Sequence, residues 1–285
     1  MSPRKYNRAA IATVIVALWL GGMATMVRRN ATRSEAQQLA EVALRLQPET
    51  FYYVVERAGQ RIGAASSAVD TTPKMLVSEE YFVGDYPSGS SAQRTSARWQ
   101  TRLTRGFRFD DMTIGIARAT GPFSIKASVE DDTLLFIAGA RTPNGARPPA
   151  RYSFARPLFT PSLAPVAFML GGSHKVGRKQ VMSVFDPTVR LVIRPELEIR
   201  AESLFTVVDS AVPDESGTWV PAHRDTVRAW RIEGAPHGLS AWVDATGRVV
   251  AARAGDLSVL RTAFEIAFKN KSARDTTSTE RNQSN

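Results

Sequence analysis

Cysteine is absent from this 285-residue chain, which removes disulfides, thiol nucleophiles, cysteinyl metal sites and a lipidated N-terminal cysteine in one step. Histidine is scarce, with only His174, His223 and His237. His223 and Asp225 alternate onto one strand face and His237 returns near them through a turn, but the tight local spacing with further ligands that zinc prefers is missing. No Walker A or Rossmann glycine fingerprint is present. Gly171-Gly-Ser-His174 lacks the G-x-S-x-G spacing and the following helix of a hydrolase nucleophile elbow. The adjacent acids Glu79-Glu80, Asp110-Asp111 and Asp131-Asp132 point to opposite faces wherever they lie on a strand, so none is assigned the paired environments of acid/base catalysis. The expectation is a protein with no catalytic residues, no metal and no cofactor.

Acidic charge is missing from one end. Residues 1–33 carry six basic groups and no acidic one, and residues 269–285 carry four basic against two acidic. The formal net charge of +10 therefore sits mostly in the tails, and the residues between hold 27 Lys or Arg against 25 Asp or Glu. Without a concentrated basic face on the folded part, no nucleic-acid partner is expected. A membrane surface is the better match for the N-terminal charge.

The longest apolar run is AAIATVIVALWLGGMATMV, residues 9–27, with 19 residues and no charge. As a helix it would be about 28 Å long, close to the ~30 Å hydrocarbon thickness of a bilayer. Arg4, Lys5 and Arg8 precede it, and Arg28, Arg29 and Arg33 follow it. A short basic terminus followed at once by an apolar run resembles a signal-anchor, and Ala24-Thr25-Met26 makes a poor cleavage site. One uncleaved transmembrane helix is expected, delivering the rest of the chain across the membrane. Arg28, Arg29 and Arg33, together with Lys175, Arg178 and Lys179 of the one local basic patch farther on, are candidates for contact with anionic headgroups.

Beyond the arginines, Leu39, Val42, Ala43 and Leu46 recur at helical spacing up to Pro48, which predicts a stalk helix within 28–48. From residue 49 the period changes to two. Phe51–Arg57 and Ile62–Val69 flank a turn and read as a hairpin, and segments at 76–83, 97–109, 113–118, 123–129 and 133–138 repeat the pattern. After the Pro- and Gly-rich stretch 141–149, Ser162–Leu170 is expected to form a short apolar helix or plug ended by Gly171-Gly172. Strands resume at 180–186, 189–193, 196–201 and 204–208, and Trp219, Trp230 and Trp242 are assigned to three further strands. Asp244-Ala-Thr-Gly247 is expected to be a type I turn with Asp244 hydrogen-bonded to its own backbone. Leu257–Phe268 places Val259, Leu260, Ala263, Phe264 and Ala267 on one helical face, so a helix covering Trp242 is predicted there. No helical segment is long enough for βαβ crossovers, so the fold class is mainly β. The predicted organisation is a basic tail (1–8), a transmembrane helix (9–27), a stalk helix (28–48), a β-rich extracytoplasmic domain (49–268) and a disordered tail (269–285).

Val181-Met-Ser-Val-Phe-Asp-Pro187, Trp219-Val-Pro-Ala222 and Ala241-Trp-Val-Asp-Ala-Thr-Gly-Arg-Val-Val250, with the opening hairpin Phe51–Gly63, resemble a β-rich extracytoplasmic module of bacteria. It occurs in periplasmic proteins of unknown function and ahead of transglutaminase-like domains. Such modules are similar in fold to lipoprotein carriers, so the resemblance implies a curved antiparallel sheet or half-open β-barrel around a hydrophobic cavity. It also implies the periplasmic side of a bacterial inner membrane. The transglutaminase-like catalytic set has no place here, because it needs a cysteine.

The functional expectation is a non-catalytic domain that binds a lipid or other hydrophobic small molecule. Its cavity wall would come from strands 51–69 and 97–138, with Phe159, Phe168 and Phe264 on the lid side and Trp230 in the core or pocket. Expected partners are the lipid bilayer, that small molecule and a membrane-protein complex. A structural or assembly subunit of the cell envelope and an uncharacterised hydrolase are the alternatives.

Overall fold

Alternating β-branched and aromatic residues dominate from Glu49 onward, and the chain answers with strands. The computed structural model describes residues 40, 41, 43, 44 and 46–270, apart from residues 89, 90, 119, 120, 132, 139, 140, 143, 144, 147, 188 and 236–238. The apolar run 9–27, Arg28, Arg29, Arg33, His237 and residues 271–285 lie outside them.

Strands β1 (Glu49–Arg57), β2 (Gln60–Thr71), β3 (Met75–Ser88), β4 (Ser91–Thr104), β5 (Phe109–Arg118), β6 (Phe123–Glu130) and β7 (Leu134–Ile137) form an antiparallel meander. The two-residue β8 (Arg141–Thr142) and β9 (Gly145–Ala146) follow, and β10 (Ala150–Ser153) completes this wing against β7. The second wing consists of β12 (Lys179–Val181), β15 (Glu196–Pro213), β16 (Trp219–Ala235), β17 (Leu239–Val243), β18 (Val249–Ala254) and β19 (Leu257–Thr262). The wings join where β1 pairs antiparallel with β19, in a register that sets Val55 opposite Val259 and Tyr53 opposite Arg261. The result is one large curved antiparallel sheet that does not close.

The middle of the sequence fills the hollow of its own sheet. Strand β11 (Leu158–Phe159) pairs with β13 (Ser183–Asp186), which pairs with β14 (Leu191–Ile193), and the inner helix Leu163–Leu170 lies among them. Leu163, Val166, Phe168 and Met169 are each at most 1% exposed. They pack against Leu76 and Leu103 of the first wing and Ile199, Ile232 and Val243 of the second. A helix that is apolar on all sides is at home only where both wings cover it. Ala43 and Leu46, from the described part of the predicted stalk, belong to this same core. Ala40, Glu41, Ala43 and Leu44 are helical, and Gly171 ends the inner helix by donating its N–H to the Ala167 carbonyl.

Three sequence expectations are corrected here. Leu257–Phe268 is not a helix: Leu257–Thr262 is strand β19, and only the π-helical turn Glu265–Lys269 remains. The edge of β1 would otherwise leave its backbone groups unpaired, and pairing them with β19 outweighs a helical apolar pattern that short segments share with two-faced strands. Trp242 therefore does not lie beneath a helix at 257–268; it packs 5.0 Å from Phe205 on the other face of the second wing. Trp219 and Trp230 occupy one strand, β16, because the residues between them contain no turn former and pair continuously with β15, with β-bulges bending the hairpin.

Candidate functional site

Across β1 to β4 the inward rows run Tyr53–Ala65–Phe82–Ala97 and, one pleat on, Ser67–Glu80–Trp99. On the second wing the corresponding row is Val259–Ala252–Ala241–Ile232. Alanine and serine occupy positions where other layers of the sheet carry Leu, Ile and Phe. Their small side chains do not reach the inner helix, and two adjoining cavities remain.

The first cavity, about 420 Å³, lies between the start of the inner helix and the second wing; Pro161, Ala164, Leu197, Ile232, Ala241 and Ala252 represent its predominantly apolar wall. The second, about 390 Å³, lies under the first wing against Tyr53, Ala65, Glu80, Phe82, Trp99 and Arg248. Pro161, Val249, Ala252 and Val259 border both. Each is within the ~300–1,000 Å³ range of small-molecule sites, which are mostly apolar with a few placed polar groups.

The polar groups converge at the second cavity. The turn after β17 delivers them: Asp244 Oδ1 accepts hydrogen bonds from the Thr246 N–H at 2.9 Å and the Arg248 N–H at 3.1 Å, as an aspartate that opens a turn does. Gly247 takes φ +80°, and a Cβ there would collide with Val166 Cα and the Pro165 carbonyl oxygen. The inner helix thus sits directly on this turn, and the turn drives Arg248 inward to 4% exposure.

Two arginines at this seam differ sharply. Arg261 donates to Asp244 Oδ2 at 2.7 Å and to the Val249 carbonyl at 2.9 Å, and its guanidinium lies 4.0 Å from the centre of the Phe51 ring. Arg248 makes no salt bridge among the described residues, and its buried Nη2 has no hydrogen-bond partner. Burial pulls its pKa down, and Glu80, the first of the nearby charges, counters this. Glu80 accepts a hydrogen bond from Ser78 Oγ at 3.1 Å. Burial raises its pKa to about 7 despite the Ser67, Ser78 and Ser162 hydroxyls and the Arg248 charge, which act in the opposite direction. Burial likewise keeps the Tyr53 phenol protonated. Trp99 contributes a second buried donor without a partner, its indole Nε1.

The residues expected to line a ligand are elsewhere. Phe159 and Phe168 are fully buried in the plug, where Phe159 packs 5.9 Å from Phe107. Trp230 is 5% exposed, with its ring 4.8 Å from His174. Phe264 lies on the opposite face of the sheet, against Tyr52 at 5.1 Å and beside Phe268. None of the four lines either cavity. In the basic patch, Lys175 is exposed, and Lys179 is bound by Glu196 and Glu198. Arg178 turns inward: it donates to the Phe168 carbonyl at 2.7 Å and stacks over the Phe168 ring, which caps the inner helix. Of the histidine arrangement, His223 bonds Asp225 at 3.1 Å and Asp209 joins them, all three exposed on the β15–β16 hairpin.

Sequence reasoning passed over Glu80 and Arg248. Glu80 stands beside Glu79 as an adjacent acidic pair in the sequence, although strand parity alone puts one of the two on the inner face. Nothing local marks Arg248, because its burial follows from the inner helix landing on Gly247.

No family model matches the chain, and no curated protein matches it. Among solved structures, it is similar to a beta-barrel-like protein of the domain of unknown function DUF1849 from Brucella abortus. The identity is 13% and the TM-score 0.48, over 76% of this chain and 95% of that one. It is also similar to a DUF1089 family protein from Pseudomonas aeruginosa, with 8% identity and a TM-score of 0.38, over 67% of this chain and 90% of that one.

Proposed function

We propose that this protein binds a hydrophobic or lipid-like molecule in the paired cavities beside the inner helix, without transforming it. The observation that carries this reading is the apolar cavity of about 420 Å³ at the junction of the wings. It exists because Ala241 and Ala252 stand in rows whose neighbours are larger, so the space is written into the sequence. Water confined against such a wall gains few hydrogen bonds, and an apolar ligand replacing it gains dispersion contacts.

The charge-free run 9–27 supports an uncleaved signal-anchor, which would hold this domain at the periplasmic face of a bacterial inner membrane. The short motifs that resemble those of bacterial β-rich modules, which are in turn similar in fold to lipoprotein carriers, are consistent with a binding role. In that setting the ligand arrives from, or leaves to, the bilayer to which the chain is tethered.

The test is mass spectrometry of small molecules that co-purify with the full chain in mild detergent, compared with an Ala252→Leu variant that blocks both cavities. The expected result is an apolar species retained by the wild type and lost from the variant. Equal retention by both proteins, or none by either, rejects the cavities as the binding site.

A further inference from the structure

The second cavity has a feature that a purely apolar ligand would leave unanswered. Arg248 is 4% exposed, borders the cavity, and carries its charge without a salt bridge among the described residues. Its Nη2 is buried with no hydrogen-bond partner, and the same holds for Nε1 of Trp99, which borders the same cavity. A buried guanidinium is normally paired, since an uncompensated charge in protein surroundings is costly. Its neighbour Arg261 shows the usual solution, held by Asp244 at 2.7 Å with both side chains largely buried. That pairing occupies Asp244, and Glu80 is the one acidic side chain bordering the cavity with Arg248.

We propose that Arg248 is the headgroup anchor of the ligand site, and that the site takes a single-chain amphiphile ending in a carboxylate, with its chain in the adjoining apolar cavity. This rests on reading the paired cavities as a binding site. One unpaired guanidinium matches one negative charge, and its planar pair of N–H groups matches the two oxygens of a carboxylate. Trp99 Nε1 supplies a further donor on the first wing. Pro161, Val249, Ala252 and Val259 border both cavities, so a chain leaving the headgroup passes over an apolar ridge into the larger space.

The surroundings favour the anion further. Around Glu80 stand Tyr53 of β1, Ser67 of β2, Ser78 of its own strand, Ser162 before the inner helix and Arg248, with the Asp244–Arg261 pair behind them. Burial holds the Glu80 carboxyl protonated well above the ordinary carboxylate range, and as an acid it donates a hydrogen bond instead of repelling a second carboxylate. Binding of the carboxylate should therefore weaken as pH rises through about 7 and Glu80 ionises.

Native mass spectrometry of the full chain with dodecanoate, dodecanol, dodecyl phosphate and acetate tests the assignment. The expected result is at least about tenfold tighter binding of dodecanoate than of dodecanol, with acetate far weaker. Arg248→Met should abolish that preference by bringing dodecanoate binding down to the level of dodecanol, and Arg248→Lys should restore part of it. Equal binding of dodecanoate and dodecanol overturns the headgroup assignment and leaves the apolar site standing. Failure of all three chain-bearing probes overturns the site itself. Acetate binding as tightly as dodecanoate makes this a free-anion site, and a preference for dodecyl phosphate overturns the carboxylate. Should Arg248→Met fail to fold, the wild-type ratio of dodecanoate to dodecanol still decides.

Discussion

The far side of the first wing and the seam between the wings are built on the same sheet, yet one is solid and the other hollow. Under β5, β6 and β7 the inward rows carry Phe109, Met112, Ile114, Ile125, Leu135 and Ile137, and Leu158 and Phe185 of the small inner sheet close the space. At the seam the same pleat presents Ala65, Ser67, Ala97, Ala241 and Ala252, and cavities of about 390 and 420 Å³ remain. Strand pairing is antiparallel and continuous in both regions, with register shifts at Val55/Glu56 and Trp242/Val243 on the seam side and none in β5–β6 or β6–β7. Cavity or core is thus decided by side-chain volume on the inward rows and by how far the plug reaches.

The comparison breaks most visibly on the solid side. Phe185→Ala, at a residue that is fully buried, should cost about 3–5 kcal/mol in chemical denaturation, because a packed core relaxes little around the lost ring. A cost below about 1 kcal/mol would show that this side is as loosely filled as the seam. Asp244→Ala should cost about 2–3 kcal/mol, since it removes the turn's backbone bonds and strands a largely buried Arg261. Gly247→Ala should cost about 1–3 kcal/mol from its positive φ and the collision with the inner helix.

On the hollow side Ala252→Leu should change stability by less than about 1 kcal/mol, because it fills existing space, while removing the retained ligand. A large loss of stability would mean the cavities are tighter than their volumes imply. A further effect concerns pH. Glu80 has its folded pKa raised from 4.5 to about 7, so the folded state holds the extra proton between those values. Stability should therefore fall as pH rises from about 4.5 to about 7 and level off above, and Glu80→Gln should flatten that part of the profile. A wild-type profile already flat over this window would remove the argument for a buried protonated carboxyl.

Much of this architecture is legible in the residues. The Phe51–Val69 hairpin, the successive strands to 138, the helix ended by Gly171 and the Asp244 turn follow from period, turn chemistry and helix stops. The strand at 257–262 is not legible, because Leu257, Val259, Leu260 and Thr262 satisfy either period over so short a run, and only the waiting edge of β1 selects the strand. The site is less legible still. Large aromatics such as Phe159, Phe168 and Trp230 attract attention as ligand contacts, but their size is what seals them into the core. The cavity is bordered instead by alanines and serines, which carry no signal until it is known what faces them.

The sequence by itself determined a mainly β chain with an apolar helix at its middle and a tight aspartate turn near its end, because period, turn residues and helix stops act over a few neighbours. Tertiary structure alone decided that the first and last strands meet, that the middle of the chain fills the sheet, and that the inner helix rests on Gly247. It thereby buried Arg248 opposite Glu80. The physical reason is distance along the chain: Glu80 and Arg248 are separated by most of the domain, and the burial and unpaired charge that mark them arise only once both wings have closed around the plug.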